Sequence, residues 1–81
     1  MNPRAMARLW YFILRNGGEW KISFGVNFYG PYEDADHAFH TAVSWAQAHG
    51  NEGHDTRVVL QEDDGEFVVL WTYGDPYPVD R

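Results

Sequence analysis

The run DADHAFHTAVSWAQAH, from Asp34 to His49, decides how the rest of the chain is read. Within it Ala35, Ala38, Phe39, Ala42, Trp45, Ala46 and His49 recur at steps of three and four, which puts them on one face of a helix. Asp34 suits the N-cap, where a carboxylate accepts from the free amides of the first turn. Glu33 and Asp36 favour the positive end of the helix dipole. Gly50 supplies a stop. The spacing predicts a helix over residues 34–49, with the remaining elements arranged around it.

On the N-terminal side, Arg8–Arg15 and Glu19–Gly25 flank Asn16-Gly17-Gly18 and read as a β-hairpin. With Asn16-Gly17 as a two-residue loop, Ile13 faces Trp20, Tyr11 faces Ile22 and Leu9 faces Phe24. All six then share one face, and Glu19, Lys21 and Ser23 share the other. A three-residue loop ending in Gly18 instead sets Trp10, Phe12 and Leu14 beside Trp20, Ile22 and Phe24. A short third strand near Phe28-Tyr29 is compatible with the turn signal at Gly25-Val26-Asn27. On the C-terminal side, Thr56–Asp63 and Glu66–Tyr73 form a second hairpin around Asp64-Gly65. This register pairs Leu60 with Val69, Val58 with Trp71 and Glu62 with Phe67. The expected fold is α+β, ββαββ or βββαββ, an antiparallel sheet with the helix on one face. Residues 1–7 read as a flexible arm, 8–73 as a single domain and 74–81, with Pro76 and Pro78, as an irregular tail.

Composition narrows the class. At 81 residues the chain is one small domain, and with 44% hydrophobic and 17% aromatic residues it has too many large apolar side chains for intrinsic disorder. The absence of cysteine removes disulfides, a thiol nucleophile and cysteine-type zinc sites. The longest apolar run, Leu9 to Leu14, is too short for a membrane span or a secretory signal, so a soluble, cytoplasmic protein is expected.

One helix covers one face of a sheet, and this sequence has apolar residues left over. The face away from the helix is expected to carry Trp10, Phe12, Leu14, Val59, Val68 and Leu70, a larger apolar group than monomers usually expose. Three covers are open: the Tyr73–Val79 tail, a second copy, or a different protein. Small domains often gain stability by oligomerising, which makes a homodimer through these six residues the leading expectation. Charge is also divided: residues 1–26 hold four basic side chains against one acid, and residues 27–81 hold two against eleven. That division suits orientation of two subunits, although acids at a turn are ordinarily just solvated.

Chemistry is sparse. His37 and His40 lie three apart on the helix, but His49 and His54 are too far along its axis to complete a metal site with them. Ser44, one turn after His40, has neither an orienting third group nor an oxyanion motif. The acids Glu62, Asp63, Asp64 and Glu66 surround a turn, and no phosphate-binding glycine loop is present. No catalytic residue, metal, cofactor or small-molecule substrate is expected. Arg8, Trp10, Arg15, Trp20 and Lys21 interleave basic and base-stacking types on the first hairpin, which makes nucleic-acid binding the alternative function. A net charge of −6 opposes it.

Trp20-Lys21-Ile22 followed by Tyr29-Gly30-Pro31-Tyr32-Glu33-Asp34-Ala35-Asp36-His37-Ala38 resembles a recurrent group of small, uncharacterised bacterial domains that run hairpin, aromatic-Gly-Pro-aromatic, Ala-rich helix, closing hairpin. Residues 8–49 also resemble the three-strand-plus-helix arm-binding domains of tyrosine recombinases and their AP2-like relatives. That second resemblance implies a sheet entering the major groove through Arg8, Trp10, Arg15, Trp20 and Lys21. The acidic remainder and the hairpin after the helix depart from it.

Overall fold

The protein was analysed as a computed structural model that describes residues 7–78. The chain runs β1 (Arg8–Asn16), β2 (Glu19–Phe24), β3 (Asn27–Tyr32), α1 (Ala35–Asn51), β4 (Asp55–Gln61) and β5 (Phe67–Thr72). The sheet order is β3-β2-β1-β4-β5, with α1 on one face, an α+β fold of the βββαββ kind. One pair departs from the antiparallel expectation. β1 and β4, at the centre, run parallel, with Leu9 beside Thr56, Tyr11 beside Val58 and Ile13 beside Leu60. A helical crossover from the β3 edge returns the chain along the sheet in the direction of β1, and parallel neighbours require such a connection. Of the N-terminal arm expected at 1–7, residues 1–6 lie outside the described part, as do 79–81 of the tail.

Both hairpins close differently from the sequence expectation. In the first, Gly17 and Gly18 form the loop with φ of 65° and 83°, and Asn16 pairs with Glu19. Two glycines take the positive φ values of a type I′ turn without steric cost, so they displace Asn16 from the loop. Ile13 consequently faces Ile22, and Arg15 faces Trp20. The slip is two residues, so every side chain keeps its face.

In the second hairpin the loop has three residues, Asp63-Asp64-Gly65. Glu62 N donates to Glu66 O at 2.8 Å, Gly65 N donates to Glu62 O at 2.9 Å, and Asp64 Oδ1 accepts from Glu66 N at 3.0 Å. Gly65 sits at φ 90°, the left-handed position such a loop needs. This moves the near-turn pairing by one residue: Leu60 faces Val68 and Gln61 faces Phe67. A bulge between Val58 and Val59 then restores Val58 to Trp71.

The core lies between sheet and helix. Tyr11, Ile13, Ile22, Val58 and Trp71 pack against Ala38, Ala42, Val43 and Ala46, with Leu9, Trp20, Phe24, Tyr32, Phe39, Trp45 and Leu60 around them. Three alanines at four-residue steps let the helix lie close on the sheet, and the larger Phe39 and Trp45 fill the margins. Thr56, the buried polar side chain, donates through Oγ1 to Ala46 O at 2.9 Å, which satisfies it without water.

Asp34 caps α1 as its position predicts, accepting from His37 N at 2.8 Å. The helix, however, continues through Gly50 to Asn51. The turn out of it falls at Gly53, with φ 104°, whose N–H donates to Gly50 O. Gly50 serves packing instead: a Cβ there would overlap the Tyr73 ring, whose hydroxyl donates to Asn51 Oδ1 at 2.6 Å. The tail after β5 is therefore held at the C-terminal end of α1. Trp71 Nε1 donates to Pro76 O at 3.1 Å, and Asp75 closes both backbone groups of Thr72.

Asp34→Ala leaves the first-turn amide of His37 without its side-chain acceptor and should cost about 1 kcal/mol in urea unfolding. An unchanged midpoint would mean that the cap contributes nothing.

Candidate association surface

The face of the sheet away from α1 is built by alternation along the central strands. Ile13 and Tyr11 of β1 point into the core, so Trp10, Phe12 and Leu14 point away from the helix. The same alternation brings Arg57 and Val59 from β4, Lys21 and Ser23 from β2, and Phe28, the partner of Ser23, from β3. From β5 it brings Phe67 and Val69, the partners of Gln61 and Val59.

The six residues expected on this face therefore divide. Trp10, Phe12, Leu14 and Val59 lie there, whereas Val68 and Leu70 are turned to the helix side. Val68 pairs with Leu60, and Leu70 lines a cleft of about 410 Å³ with Ile13, Ala35, Asp36, Phe39 and Leu60. The cause is the three-residue loop: a one-residue shift of pairing reverses the faces of β5 between the turn and the bulge. Phe67 and Val69 take the places assigned to Val68 and Leu70, and Phe28 is an addition. The short-strand signal at Phe28-Tyr29 marked that strand but left its orientation open.

On this face Phe12 sits between Trp10, centroid 6.1 Å away, and Phe67, centroid 5.6 Å away, both tilted by more than 50°. Val59, between its strand partners Phe12 and Val69, is fully buried, so it supports the surface rather than forming part of its accessible area. Trp10 is 39% exposed, Val69 49%, Phe28 57% and Phe67 58%. The Arg57 guanidinium lies 5.8 Å from the Trp10 ring centroid, a cation–π distance, and its buried Nε has no hydrogen-bond partner among the described residues. Lys21 approaches Glu19 at 3.8 Å, and Arg8 approaches Asp55 at 4.0 Å. The face is thus aromatic at its centre with both signs of charge at its margin.

The set considered for nucleic acid does not form one surface. Arg8, Trp10 and Lys21 are on the uncovered face, but Trp20 packs against the core on the helix side, with the Arg15 guanidinium 5.5 Å over its ring. Arg15 and Trp20 border a cleft whose other walls include Glu62 and Asp63.

Among the histidines, His40 Nε2 lies 3.6 Å from Asp36 Oδ1, and the His37 ring meets Tyr32 edge-on at 5.4 Å. Among the described residues, no three His, Asp or Glu side chains converge on a point where a metal ion would sit. His49, which the sequence places on the apolar helix face, has a partner that periodicity does not reveal: its Nδ1 is hydrogen-bonded to the hydroxyl of Tyr11. Burial, and secondarily the negative charge of Glu52, push the Tyr11 hydroxyl from its ordinary value of 10.0 up to about 12. The hydroxyl remains neutral throughout the physiological range.

Comparison with known proteins gives no match: no family model fits the chain, and no curated protein or solved structure is significantly similar to it. No described helix is long and apolar enough to cross a membrane.

Two outcomes follow from this geometry. Val59→Ala should cost about 1.5–3 kcal/mol, as for loss of buried methyl groups, and a change within about 0.5 kcal/mol would show that the face is solvated down to the sheet. Because the folded Tyr11 hydroxyl titrates above its unfolded value, its stabilising effect is complete below pH 10.0 and is lost as pH rises towards about 12. Tyr11→Phe should flatten that alkaline loss in pH-dependent unfolding, while costing about 1 kcal/mol at neutral pH through the unpaired His49. An identical alkaline slope in the variant would contradict the assignment.

Proposed function

We propose that this chain is non-enzymatic and acts by protein association, as a homodimer formed through the sheet face opposite α1. The observation that carries the reading is the grouping of Trp10, Phe12, Phe28, Phe67 and Val69 on one face while the described tail turns to the other side of the molecule. Solvated sheet faces alternate towards polar residues, and contiguous aromatic patches on soluble domains ordinarily mark interaction sites. A second copy suits the surface because a two-fold contact is self-complementary. The flat aromatic centres stack as two sheets about 10 Å apart, and the mixed margin lets Lys21, Arg57 and Arg8 of one copy meet Glu19 or Asp55 of the other. For a domain of this size, burying that face adds apolar contact that a single helix does not provide.

The nucleic-acid alternative has less support. Its five residues are split between two faces, both of its cations on the uncovered face stand beside acids, and the net charge is −6.

Light scattering over a concentration series should give twice the 9.4 kDa chain mass. Trp10→Glu and Phe67→Glu should yield folded monomers, whereas Leu70→Glu, on the helix side, should leave the dimer intact. Monomeric wild-type protein throughout the series, or dissociation by Leu70→Glu alone, would refute the assignment.

A further inference from the structure

We propose that a second site, on the helix side of the sheet, binds a quaternary ammonium group. The site is a cleft of about 220 Å³ lined by Tyr11, Phe24, Tyr29, Trp45 and His49. All five lining residues carry aromatic rings, and none is aliphatic, lysine or arginine. Three strands and the helix each contribute: Tyr11 from β1, Phe24 from β2, Tyr29 from β3, and Trp45 and His49 from α1.

The rings are arranged as walls at different angles. Tyr11 and Phe24 stack at 4.4 Å with an interplanar angle of 11°, and His49 is near-parallel to both at about 6 Å. Trp45 and Tyr29 meet edge-on at 5.2 Å and 74°. Tyr11 is fully buried and stacked on Phe24, so the rings a cation can reach from solvent are those of Phe24, Tyr29, Trp45 and His49; each attracts a cation lying within roughly 6 Å of its centroid.

The Tyr11 hydroxyl and His49 Nδ1 are hydrogen-bonded to each other, so the deepest polar pair of the site is turned inward, and most of the remaining lining is ring surface. A primary ammonium requires hydrogen bonds to replace its water and finds no carboxylate among the described lining residues. A methylated ammonium is weakly hydrated and needs only apolar, electron-rich walls. Electrostatics favour the cation as well: the chain carries a net charge of −6, and the field of Glu52 reaches the Tyr11 hydroxyl at the cleft. The volume lies below the roughly 300–1,000 Å³ of pockets for drug-sized ligands, which restricts the occupant to a compact group such as trimethylammonium. Tyr29, 38% exposed, and the half-buried Trp45 leave the cleft accessible. The site is independent of the association surface, because it lies on the opposite side of the sheet.

The test is a titration of the full chain with choline chloride at constant ionic strength, followed through the Trp45 and Tyr29 ring resonances. The neutral tert-butyl isostere dimethylbutanol serves as control. Choline should saturate the shifts and bind about fivefold or more tightly than the isostere, the factor expected for a partly desolvated cation over aromatic rings. Trp45→Leu should abolish that preference. Tyr29→Leu, on an edge strand and least able to disturb the core, should weaken choline without affecting the alcohol. Equal binding of cation and isostere, or shifts that never saturate, would overturn the proposal. Sedimentation with phosphatidylcholine vesicles, competed by choline, would place the group on a lipid headgroup. Choline binding without sedimentation would place it on a soluble ligand.

Discussion

The parallel pairing of β1 with β4 is the constraint on which the rest of the structure depends. These strands occupy the centre of the sheet, and each carries part of the core: Tyr11 and Ile13 on β1, Val58 on β4. Parallel neighbours cannot be joined by a tight turn, so the chain between them has to leave one edge and return along a face. Here β2 and β3 extend the sheet outward, and α1 carries the chain back over it. The helix can lie close because Ala38, Ala42 and Ala46 present little volume. Thr56 at the start of β4 ties the crossover down by bonding to the carbonyl of Ala46.

The same arrangement produces two unlike faces. Over one, α1 encloses the core and, near its C-terminal half, leaves the aromatic cleft around Trp45. Over the other, nothing in the described chain is laid down. The tail is drawn to the helix side by three bonds: Trp71 to Pro76, Thr72 to Asp75, and Tyr73 to Asn51. Gly50 is the residue that permits this, since any side chain at that point of the helix would expel the Tyr73 ring. A glycine inside a helix costs about 1 kcal/mol relative to alanine, and here the docking of the C-terminal segment offsets that cost. The aromatic surface of β1 and β5 is left available for another molecule as a consequence of where the tail is anchored.

Much of this was legible in the residues, because the governing signals are local. The three- and four-residue period from Ala35 to His49 and the capping Asp34 specify the helix and its start. Strand alternation places Leu9, Tyr11, Ile13, Trp20, Ile22 and Phe24 on the core side whichever pair of residues closes the first loop. What was not legible depends on small or non-local differences. Asn-Gly and Gly-Gly are both good type I′ pairs, so the choice between them is decided by the whole hairpin. The Asp63-Asp64-Gly65 loop adds one residue, and the bulge compensates further along β5. A two-residue reading therefore misplaces Val68 and Leu70 while still matching Val58 to Trp71. Strand order and the parallel centre follow from the crossover path, about which periodicity carries no information. The Tyr11–His49 bond spans 38 positions, and the cleft around it joins residues from four elements.

Native-state hydrogen exchange of the backbone amides tests the central claim most directly. If the β1–β4 pair is the spine, amides from Leu9 to Ile13 and Thr56 to Leu60 that bond across it should be the slowest to exchange. They should open only with global unfolding, while β3 and β5 at the edges open locally. Fast, local exchange along β1–β4, with the β2–β3 hairpin outlasting it, would contradict the account.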